Sequence, residues 1–413
     1  MTGSEKHCSG PYAGMDLTRP CRCAASFVAG TLLAAWLMPA AASAEPIKIG
    51  LLAPLSGPGA QIGESAQVGV EYATKVINEG GGIGGRPIQL VIGDYQANPT
   101  VGVSEARRLI DREQVDLVIG PTYSQVTLAV MPLLIDADIA SINVSGTDLL
   151  TPDAAPYSFS MLVNSKVQAE LMTRDAKERL KASSVAILSD TGAQAKTAVV
   201  EIRAAVEASG MMLTGTQEYQ YGASDMTPQL LDLKRGNPDA LILFASTGDD
   251  TGHVLKGLRE IGWKIGVSGS YGVALAGPGI AIAGKEAYEN VVGINYRSWT
   301  SCGSGSLDPK MGTFIEGLRA FRPAAAERLP FNYVSLWYDG VFLLRQAVEA
   351  NDGSTDGATL AKWIEQNSGN FDGINSGLNA SADTHFLIGS TNLAMVHPAE
   401  IGDGGVQKRV DCE

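Results

Sequence analysis

Residues 47–94 read IKIGLLAPLSGPGAQIGESAQVGVEYATKVINEGGGIGGRPIQLVIGD, and the order of patterns in this stretch decides the fold. The apolar runs Ile47–Leu52 and Ile88–Ile92 are short and continuous, which is typical of strands buried on both faces. Between them, apolar residues recur at intervals of three and four and predict a helix over 62–79. A strand, a helix and a second strand in this order predict a β-α-β unit of a parallel sheet.

Three glycines inside this stretch, Gly80, Gly82 and Gly85, fit the pattern G-x-G-x-x-G of dinucleotide-binding proteins. That fingerprint requires the glycines to follow a strand and begin a helix, so that the helix N-terminus faces the pyrophosphate. Here the glycines follow the helix and precede the strand. We therefore expect a tight turn with left-handed residues and not a phosphate loop.

The alternation of strands and helices continues as far as residue 283. Further candidate strands are Leu117–Ile119, Ile139–Ile142, Val185–Leu188, Met211–Thr216, Ala240–Phe244 and Lys264–Val267, and further candidate helices span 99–113, 123–136, 165–180, 195–209, 225–234, 250–261 and 275–283. The pattern pauses at 151–165 and so divides the strands into two groups of four. The sequence therefore predicts an α/β protein with two doubly wound, Rossmann-like lobes.

The C-terminal third contains further predicted helices, which must pack against a sheet. Helical segments occur near 308–321, 332–350 and 357–367, and a last strand near 392–397. Because the first four strands have only three helices between them, we expect the chain to cross back near 293 and again near 371. Lobe 1 would then comprise 45–160 and 294–370, and lobe 2 would comprise 161–293 and 371–413. Three crossings form a hinge that allows two lobes to close on a ligand.

Residues 1–44 have the features of a secretory signal peptide. Arg19 and Arg22 precede an apolar run over 24–38 that is short for a membrane span. Ala42 and Ala44 form an A-x-A cleavage site, which predicts Glu45 as the first mature residue. The alternative is an uncleaved membrane anchor. We expect an exported, periplasmic protein.

Charge and cysteine content narrow the function classes. Without residues 1–44, the chain has 28 Lys and Arg residues against 42 Asp and Glu residues. Such an acidic surface repels nucleic acid and anionic lipid. Only Cys302 and Cys412 remain in this part of the chain, and one pair in an oxidising compartment suggests a disulfide, with two unpaired thiols as the alternative.

No constellation for catalysis is visible in the predicted mature chain. Its histidines, His253, His385 and His397, lack metal-ligand spacing, and the sequence contains no G-x-S-x-G and no Walker A motif. Asp249 and Asp250 are adjacent before a predicted helix, where capping is the more natural role than acid or base chemistry. We expect neither an enzyme nor a bound metal or cofactor.

The stretch quoted above, together with YQANP, VDLVIGPTYSQVT and IASINVSGTDLLT after it, resembles the periplasmic solute-binding proteins of branched-chain amino-acid-type ABC transporters. The resemblance continues through VAILSDTGAQ, PDALILFASTGDDTGHVLKGLREIGW and FDGINSG. It implies the type I periplasmic binding fold and a monomer that captures a small solute and presents it to an ABC transporter membrane permease. A ligand sensor on the same fold and an enzyme acting in the cleft are the alternatives.

Two loops carry the carboxylate site that the resemblance implies. Tyr123 and Ser124 lie in GPTYSQVT, and Ser145, Gly146 and Thr147 lie in NVSGTD. Loops at the C-terminal ends of strands suit a carboxylate, because free backbone N–H groups and helix N-termini converge there. In the resembled family these loops hold the ligand's α-carboxylate, and the hydroxyls of Ser124 and Thr147 match in kind. The alternative for each hydroxyl is a simple helix N-cap.

Other positions depart from the family pattern. The loop SGSYGVA places Tyr271 where family members that bind amino acids have an acidic residue for the ammonium. Gln194 stands where a tyrosine is common, and Ile62 stands where a cleft aromatic is expected. Thr247 completes the set of expected ligand-binding residues.

The missing acid leaves two kinds of ligand open, because a buried ammonium without a carboxylate partner is costly. In one, Asp249, Asp250 or Glu218 supplies the charge from elsewhere, and the ligand is a branched-chain amino acid or a relative. In the other, the ligand has no ammonium. It would then be an aromatic or other organic acid, or an amide, lying on Tyr271, Tyr123 and Ile62.

Overall fold

Two sheets of mainly parallel strands, each flanked by helices, form the core of the computed structural model. The structure describes residues 45–57, 59–302, 307–402 and 406–412. The predicted signal peptide at 1–44 lies outside the described residues.

The first sheet contains six strands in the order β12-β5-β4-β3-β1-β2, and every neighbouring pair is parallel. Its strands are β1 Ile47–Ala53, β2 Ile88–Asp94, β3 Leu117–Ile119, β4 Ser141–Asn143, β5 Ser158–Val163 and β12 Phe386–Ile388. Its helices are α1 Ala60–Glu79, α2 Pro99–Arg107, α3 Ser124–Asp136, α10 Pro309–Phe321, α11 Pro323–Ala326, α12 Phe331–Ala350 and α13 Gly357–Asn367.

The second sheet contains eight strands in the order β11-β14-β13-β10-β9-β8-β6-β7, with β13 antiparallel to both of its neighbours. Its strands are β6 Ser184–Asp190, β7 Met212–Tyr219, β8 Ala240–Phe244, β9 Gly266–Gly269, β10 Val291–Tyr296, β11 Thr300–Ser301, β13 Leu393–Ile401 and β14 Gln407–Arg409. Its helices are α4 Ser165–Glu178, α5 Ala193–Ser209, α6 Thr227–Arg235, α7 Gly248–Glu260, α8 Tyr271–Ala274 and α9 Ala276–Ala283.

Each sheet has a point where the strand order reverses. In the first sheet β1 lies between β2 and β3, and in the second sheet β6 lies between β7 and β8. Loops that leave the carboxyl ends of strands at such a point diverge and form a crevice, which is where doubly wound proteins bind ligands. The predicted pair of doubly wound sheets is confirmed, and it provides two crevices.

The chain passes between the sheets three times, but later than predicted. β5 belongs to the first sheet through Val163, so the first passage follows residue 163 and not 160. β10 and β11 both pair within the second sheet, which places the next passage after Ser301 and not near 293. Residues 371–388 stay with the first sheet, because Phe386 and Ile388 pair with β5. The predicted boundary at 371 is therefore wrong.

The sequence prediction missed β5, which lies in the stretch 151–165 that was interpreted as a pause. Its serines hide the apolar pattern. Ser158 is nevertheless buried, because its hydroxyl accepts hydrogen bonds from Ser141 Oγ at 2.7 Å and from Asn143 Nδ2 at 2.9 Å. A polar side chain with satisfied hydrogen bonds is tolerated in a sheet interior.

The glycines after α1 form the predicted turn. The helix ends at Glu79, and Gly82 has φ +81°. A Cβ on Gly82 would lie 2.2 Å from the carbonyl oxygen of Arg86, so both the conformation and the space require glycine. The predicted turn with left-handed residues between the helix and the strand is therefore confirmed.

The long helix α12 belongs to the first sheet, as the late helices predicted. It packs on α1, where Gly69 allows close approach: a Cβ there would lie 2.5 Å from the carbonyl oxygen of Val334. Trp337 is buried in this contact. None of the described helices is long and apolar enough to cross a membrane.

A disulfide joins Cys302 and Cys412, whose Cα atoms are 5.2 Å apart. Cys302 follows β11 and Cys412 follows β14, and these two strands pair with each other. The bond therefore fastens the outer edge of the second sheet.

Candidate functional site

A crevice lies where the loops of the two sheets meet. Loops after β3, β6, β7, β8 and β9 contribute to its walls. Five of the residues that the sequence singled out line it: Ile62, Tyr123, Ser124, Gln194 and Tyr271. Thr247 lines a second pocket that adjoins the first, whereas Ser145, Gly146 and Thr147 line neither.

The side chain of Tyr95 holds the loop after β3 in place. Tyr95 is fully buried; its hydroxyl bonds to Thr122 Oγ1 and accepts a hydrogen bond from the backbone N–H of Thr122 at 3.1 Å. This fixes the residues that follow, so that Tyr123 becomes the N-cap residue of α3 and Ser124 its first residue. Ser124 thus lies at a helix N-terminus, a position where backbone N–H groups are free to bind an anion.

The loop after β4 supports the loop after β3. The Ser145 hydroxyl donates to Ser124 Oγ at 3.0 Å, and Ser160 Oγ donates to the Ser145 carbonyl at 2.7 Å. Thr147 is fully buried, and its hydroxyl has no partner among the described residues. Of the two residues whose hydroxyls were predicted to bind a carboxylate, Ser124 lines the crevice and Thr147 does not.

Gly146, from the loop after β4 of the first sheet, packs directly against the side chain of Gln194, from the loop after β6 of the second sheet. A Cβ on Gly146 would lie 1.8 Å from Gln194 Nε2. The Gln194 amide nitrogen is buried and has no hydrogen-bond partner among the described residues. Only glycine at position 146 leaves room for this side chain, and the amide retains an unused donor.

Tyr271 supplies no charge to the site. It is buried, and its ring packs edge-on against Tyr296 with centroids 5.1 Å apart. Burial raises its pKa well above the ordinary value, so the phenol is neutral. Its backbone N–H donates to Gln168 Oε1 at 2.9 Å, which orders the start of α8.

Tyr221 and Tyr333 line the crevice but were not identified from the sequence. Tyr221 follows β7, and its ring lies edge-on to that of Tyr123 with centroids 6.1 Å apart. This ring contact joins the two sides of the crevice. The pair Tyr221-Gly222 was the available signal, because it lies in the loop after the predicted strand Met211–Thr216. Tyr333 lies on α12, and it comes close to the crevice only because the chain returns to the first sheet after β11.

Much of the remaining crevice wall is apolar. Ile62, Val144 and Leu162 come from the first sheet with its helices and loops, and Phe244 and Leu275 come from the second. Apolar walls with a few polar groups are typical of sites for small organic molecules. The site therefore suits a ligand with an apolar body.

Asp190 ties together two loops at the reversal point of the second sheet. Its buried carboxylate accepts from the backbone N–H of Gly192 at 2.7 Å and of Ser246 at 2.8 Å. Burial raises its pKa above the ordinary value for an aspartate. Asp190 is a structural group, because both of its oxygens are engaged within the fold.

Asp250 differs from the other candidate acids in its burial. Asp249 and Glu218 are exposed, whereas the Asp250 residue is 1% exposed. It lies in the first turn of α7, whose N-cap is Thr247: Thr247 Oγ1 accepts from the Asp250 N–H at 3.2 Å. The expectation that the adjacent aspartates cap this helix is therefore wrong for their side chains. Burial, reinforced by Asp190, raises the pKa of Asp250 to about 7.

One group of potential metal ligands occurs within the described residues: Cys302, Asp411 and Cys412. Both cysteines are joined in the disulfide, so their thiolates are not available to a metal. The group also lies away from the crevice, at the edge of the second sheet.

Comparisons with known proteins agree with this architecture. A family described as "Periplasmic binding protein" matches residues 46–403. The chain is 25% identical to the "Leu/Ile/Val-binding protein homolog 3" of Brucella melitensis, over 79% of this chain and 84% of the relative.

Two solved structures share the fold. The substrate-binding protein LivJ of Streptococcus pneumoniae, in complex with isoleucine, has a TM-score of 0.74 at 22% identity and covers 89% of this chain and 99% of its own. A solute-binding protein of Rhodopseudomonas palustris, in complex with 4-hydroxybenzoate, has a TM-score of 0.74 at 19% identity and covers 88% and 95%. Each is described as a binding protein, and their ligands differ in chemistry.

Proposed function

This chain belongs to the periplasmic binding protein family, and we propose that it captures a small carboxylate-bearing solute between its two sheets and delivers it to an ABC transporter permease. The two sheets with their helices act as lobes that open and close about the three chain passages. Residues 1–44 direct export to the periplasm and are removed, which leaves Glu45 at the N-terminus. The mature protein functions as a monomer.

The observation that carries this proposal is the meeting of both strand-order reversals at one crevice. Residues from loops of both sheets line it, including Ser124 at a helix N-terminus and Tyr221 on the opposite side. A ligand in this position touches both lobes, so its binding energy favours the closed form. Closure of this kind converts solute binding into a shape that a permease distinguishes from the empty form.

The crevice supports a ligand with one anionic end and an apolar body. The Ser124 hydroxyl and the N-terminus of α3 suit a carboxylate, and Ile62, Phe244 and Leu162 suit an alkyl chain or a ring. Tyr271 stands where the resembled family usually has an acidic residue, and it adds a neutral aromatic side chain to the wall of the crevice. Branched-chain amino acids and aromatic or other organic acids both meet these requirements.

A thermal-shift screen tests the proposal. Purified mature protein is heated with amino acids, aromatic acids, keto acids and amides, each at a concentration well above its expected dissociation constant. A ligand at about 100 times its dissociation constant adds roughly 2.7 kcal/mol to the free energy of unfolding. We expect a large shift from hydrophobic carboxylates and none from the matching amides, and no turnover of the bound solute. Absence of a shift from every carboxylate would refute the proposal.

A further inference from the structure

One oxygen of Asp250 is buried without a partner. Its Oδ2 has no hydrogen-bond partner among the described residues. No salt bridge between described residues includes Asp250, and the residue is 1% exposed. A buried carboxylate with an unused oxygen is unstable unless something neutralises it, so carboxylates in this position are normally paired.

Helix stabilisation does not explain this burial. An acidic residue in the first turn of α7 interacts favourably with the helix dipole, but Asp249 already occupies that turn from an exposed position. Thr247 caps the helix. The burial of Asp250 therefore destabilises the fold, and neither helix capping nor the helix dipole accounts for it.

The surroundings of Asp250 suit a cation. It lines the second pocket together with the aromatic rings of Tyr123, Tyr221 and Tyr333. Asp190 lies close enough to raise the pKa of Asp250, which adds negative potential to this wall. Tyrosine faces and carboxylates are the groups that bind ammonium ions in proteins.

The second pocket is continuous with the crevice. Five residues line both: Ile62, Tyr123, Tyr221, Leu275 and Tyr333. Ser124 lines only the first pocket, and Asp250 lines only the second. A solute whose carboxylate lies at Ser124 and that extends past these shared residues enters the pocket that Asp250 lines.

We propose that Asp250 binds an ammonium or other cationic group of the solute held in the crevice. This inference rests on the proposed function and specifies the class of its solute: carboxylates that also carry an amine. It also locates the compensating charge on α7, whereas Tyr271, where the resembled family places that charge, supplies none. Of the three acids considered from the sequence, Asp249 and Glu218 are exposed and do not provide a desolvated partner.

Three six-carbon carboxylates test the proposal: hexanoate, which has no amine, norleucine, which has an α-amine, and 6-aminohexanoate, which has a terminal amine. Titration calorimetry measures their dissociation constants for the wild type and for Asp250→Asn. Asp232→Asn is the matched control, because it removes one exposed negative charge on α6. Asp250→Ser is a second variant in case the asparagine perturbs the loop.

We expect at least one amine-bearing acid to bind the wild type 10-fold or more tightly than hexanoate. Both Asp250 variants should lose this preference, so that hexanoate and the amine-bearing acid bind with similar affinity, while the control variant keeps the preference of the wild type. Hexanoate binding as tightly as both amines would overturn the inference. So would a preference that survives in the Asp250 variants, or absence of amine binding while other carboxylates of the screen bind. Those outcomes leave the proposed function intact, whereas absence of binding by every carboxylate would remove both.

Discussion

The buried carboxylate of Asp250 lowers the stability of the ligand-free protein when it is ionised, although we propose that the same carboxylate binds the ligand. Its pKa is about 7 in the folded protein against an ordinary value of 3.8. The folded state therefore holds a proton that the unfolded state has released between these two values. The stabilising contribution is complete below pH 3.8 and is lost as the pH rises through about 7.

Asp250→Asn should consequently stabilise the ligand-free protein at pH 8. The difference between 3.8 and about 7 corresponds to roughly 4 kcal/mol at this pH. Asparagine avoids this cost because it carries no charge. Urea denaturation at pH 5 and pH 8 measures the effect, with the gain at pH 8 exceeding that at pH 5. The exposed Asp232→Asn variant should change stability by less than about 0.5 kcal/mol at either pH. A destabilised Asp250→Asn protein at pH 8 would contradict this account.

Ser124→Ala should weaken carboxylate binding roughly 10-fold to 100-fold, since a hydrogen bond to a charged group contributes about 1.5–3 kcal/mol. The change also removes the acceptor of the Ser145 hydroxyl. Calorimetric titration of the best carboxylate from the screen measures it. Ser104→Ala, at an exposed position of α2 outside the crevice, is the control and should bind normally. Equal affinities for both variants would remove Ser124 from the site.

Sequence patterns identified part of the site and missed the rest for a physical reason. Ser124 lies in the loop after β3, so the order of strand and helix was enough to predict its place, whereas Gln194 was named through the family resemblance. Tyr221 also follows a strand, and its Tyr-Gly pair was a usable signal. The burial of Asp250 and the approach of Tyr333 depend on packing between distant segments, which no local pattern records.

At the scale of elements, the turn between α1 and β2 contains glycines with two different functions. One is needed for its conformation and for lack of space, and the other for its conformation alone. Gly82 has φ +81° and no room for a Cβ, whereas Gly84 has φ +55° and nothing within 4 Å of a built Cβ. Gly82→Ala should cost roughly 3 kcal/mol or more of unfolding free energy, and Gly84→Ala only about 1–2 kcal/mol for its left-handed conformation.

Chemical denaturation of both turn variants measures this difference. Their ligand affinities should match the wild type, because neither glycine lines the crevice. Equal destabilisation would show that backbone conformation alone, and not the contact with Arg86, requires glycine at position 82.

The elements that the sequence predicted well are those with strong periodicity. Helices α1 and α12 and strands β1 and β2 lie within a few residues of their predicted bounds. Strands β5 and β12 were missed, because serines interrupt the first and the second has only three residues. These two strands pair with each other and decide which sheet holds residues 371–388. The misplaced boundary follows directly from their omission.

At the scale of the whole molecule, Gly146 limits how closely the two sides of the crevice approach. Gly146→Ala should prevent full closure, because its Cβ would overlap the Gln194 amide. We expect affinity to fall 10-fold or more, and the radius of gyration in small-angle X-ray scattering to decrease less on ligand addition than in the wild type.

A second substitution provides the control for this prediction. Gln194→Ala in the same chain removes the opposing amide and should restore the ligand-induced decrease in radius of gyration. Unchanged closure in the single variant would show that Gln194 turns aside freely and that glycine at position 146 serves another purpose.

The bond between Cys302 and Cys412 makes a closed ring of the chain between them, across a sequence separation of 110 residues. Helices α10 to α13 and the last passage between the sheets all lie inside this ring. A protease that cut one peptide bond within it would leave the two fragments covalently attached. The protein is thereby protected against losing its C-terminal third to a single cleavage, a useful property wherever extracytoplasmic proteases are abundant.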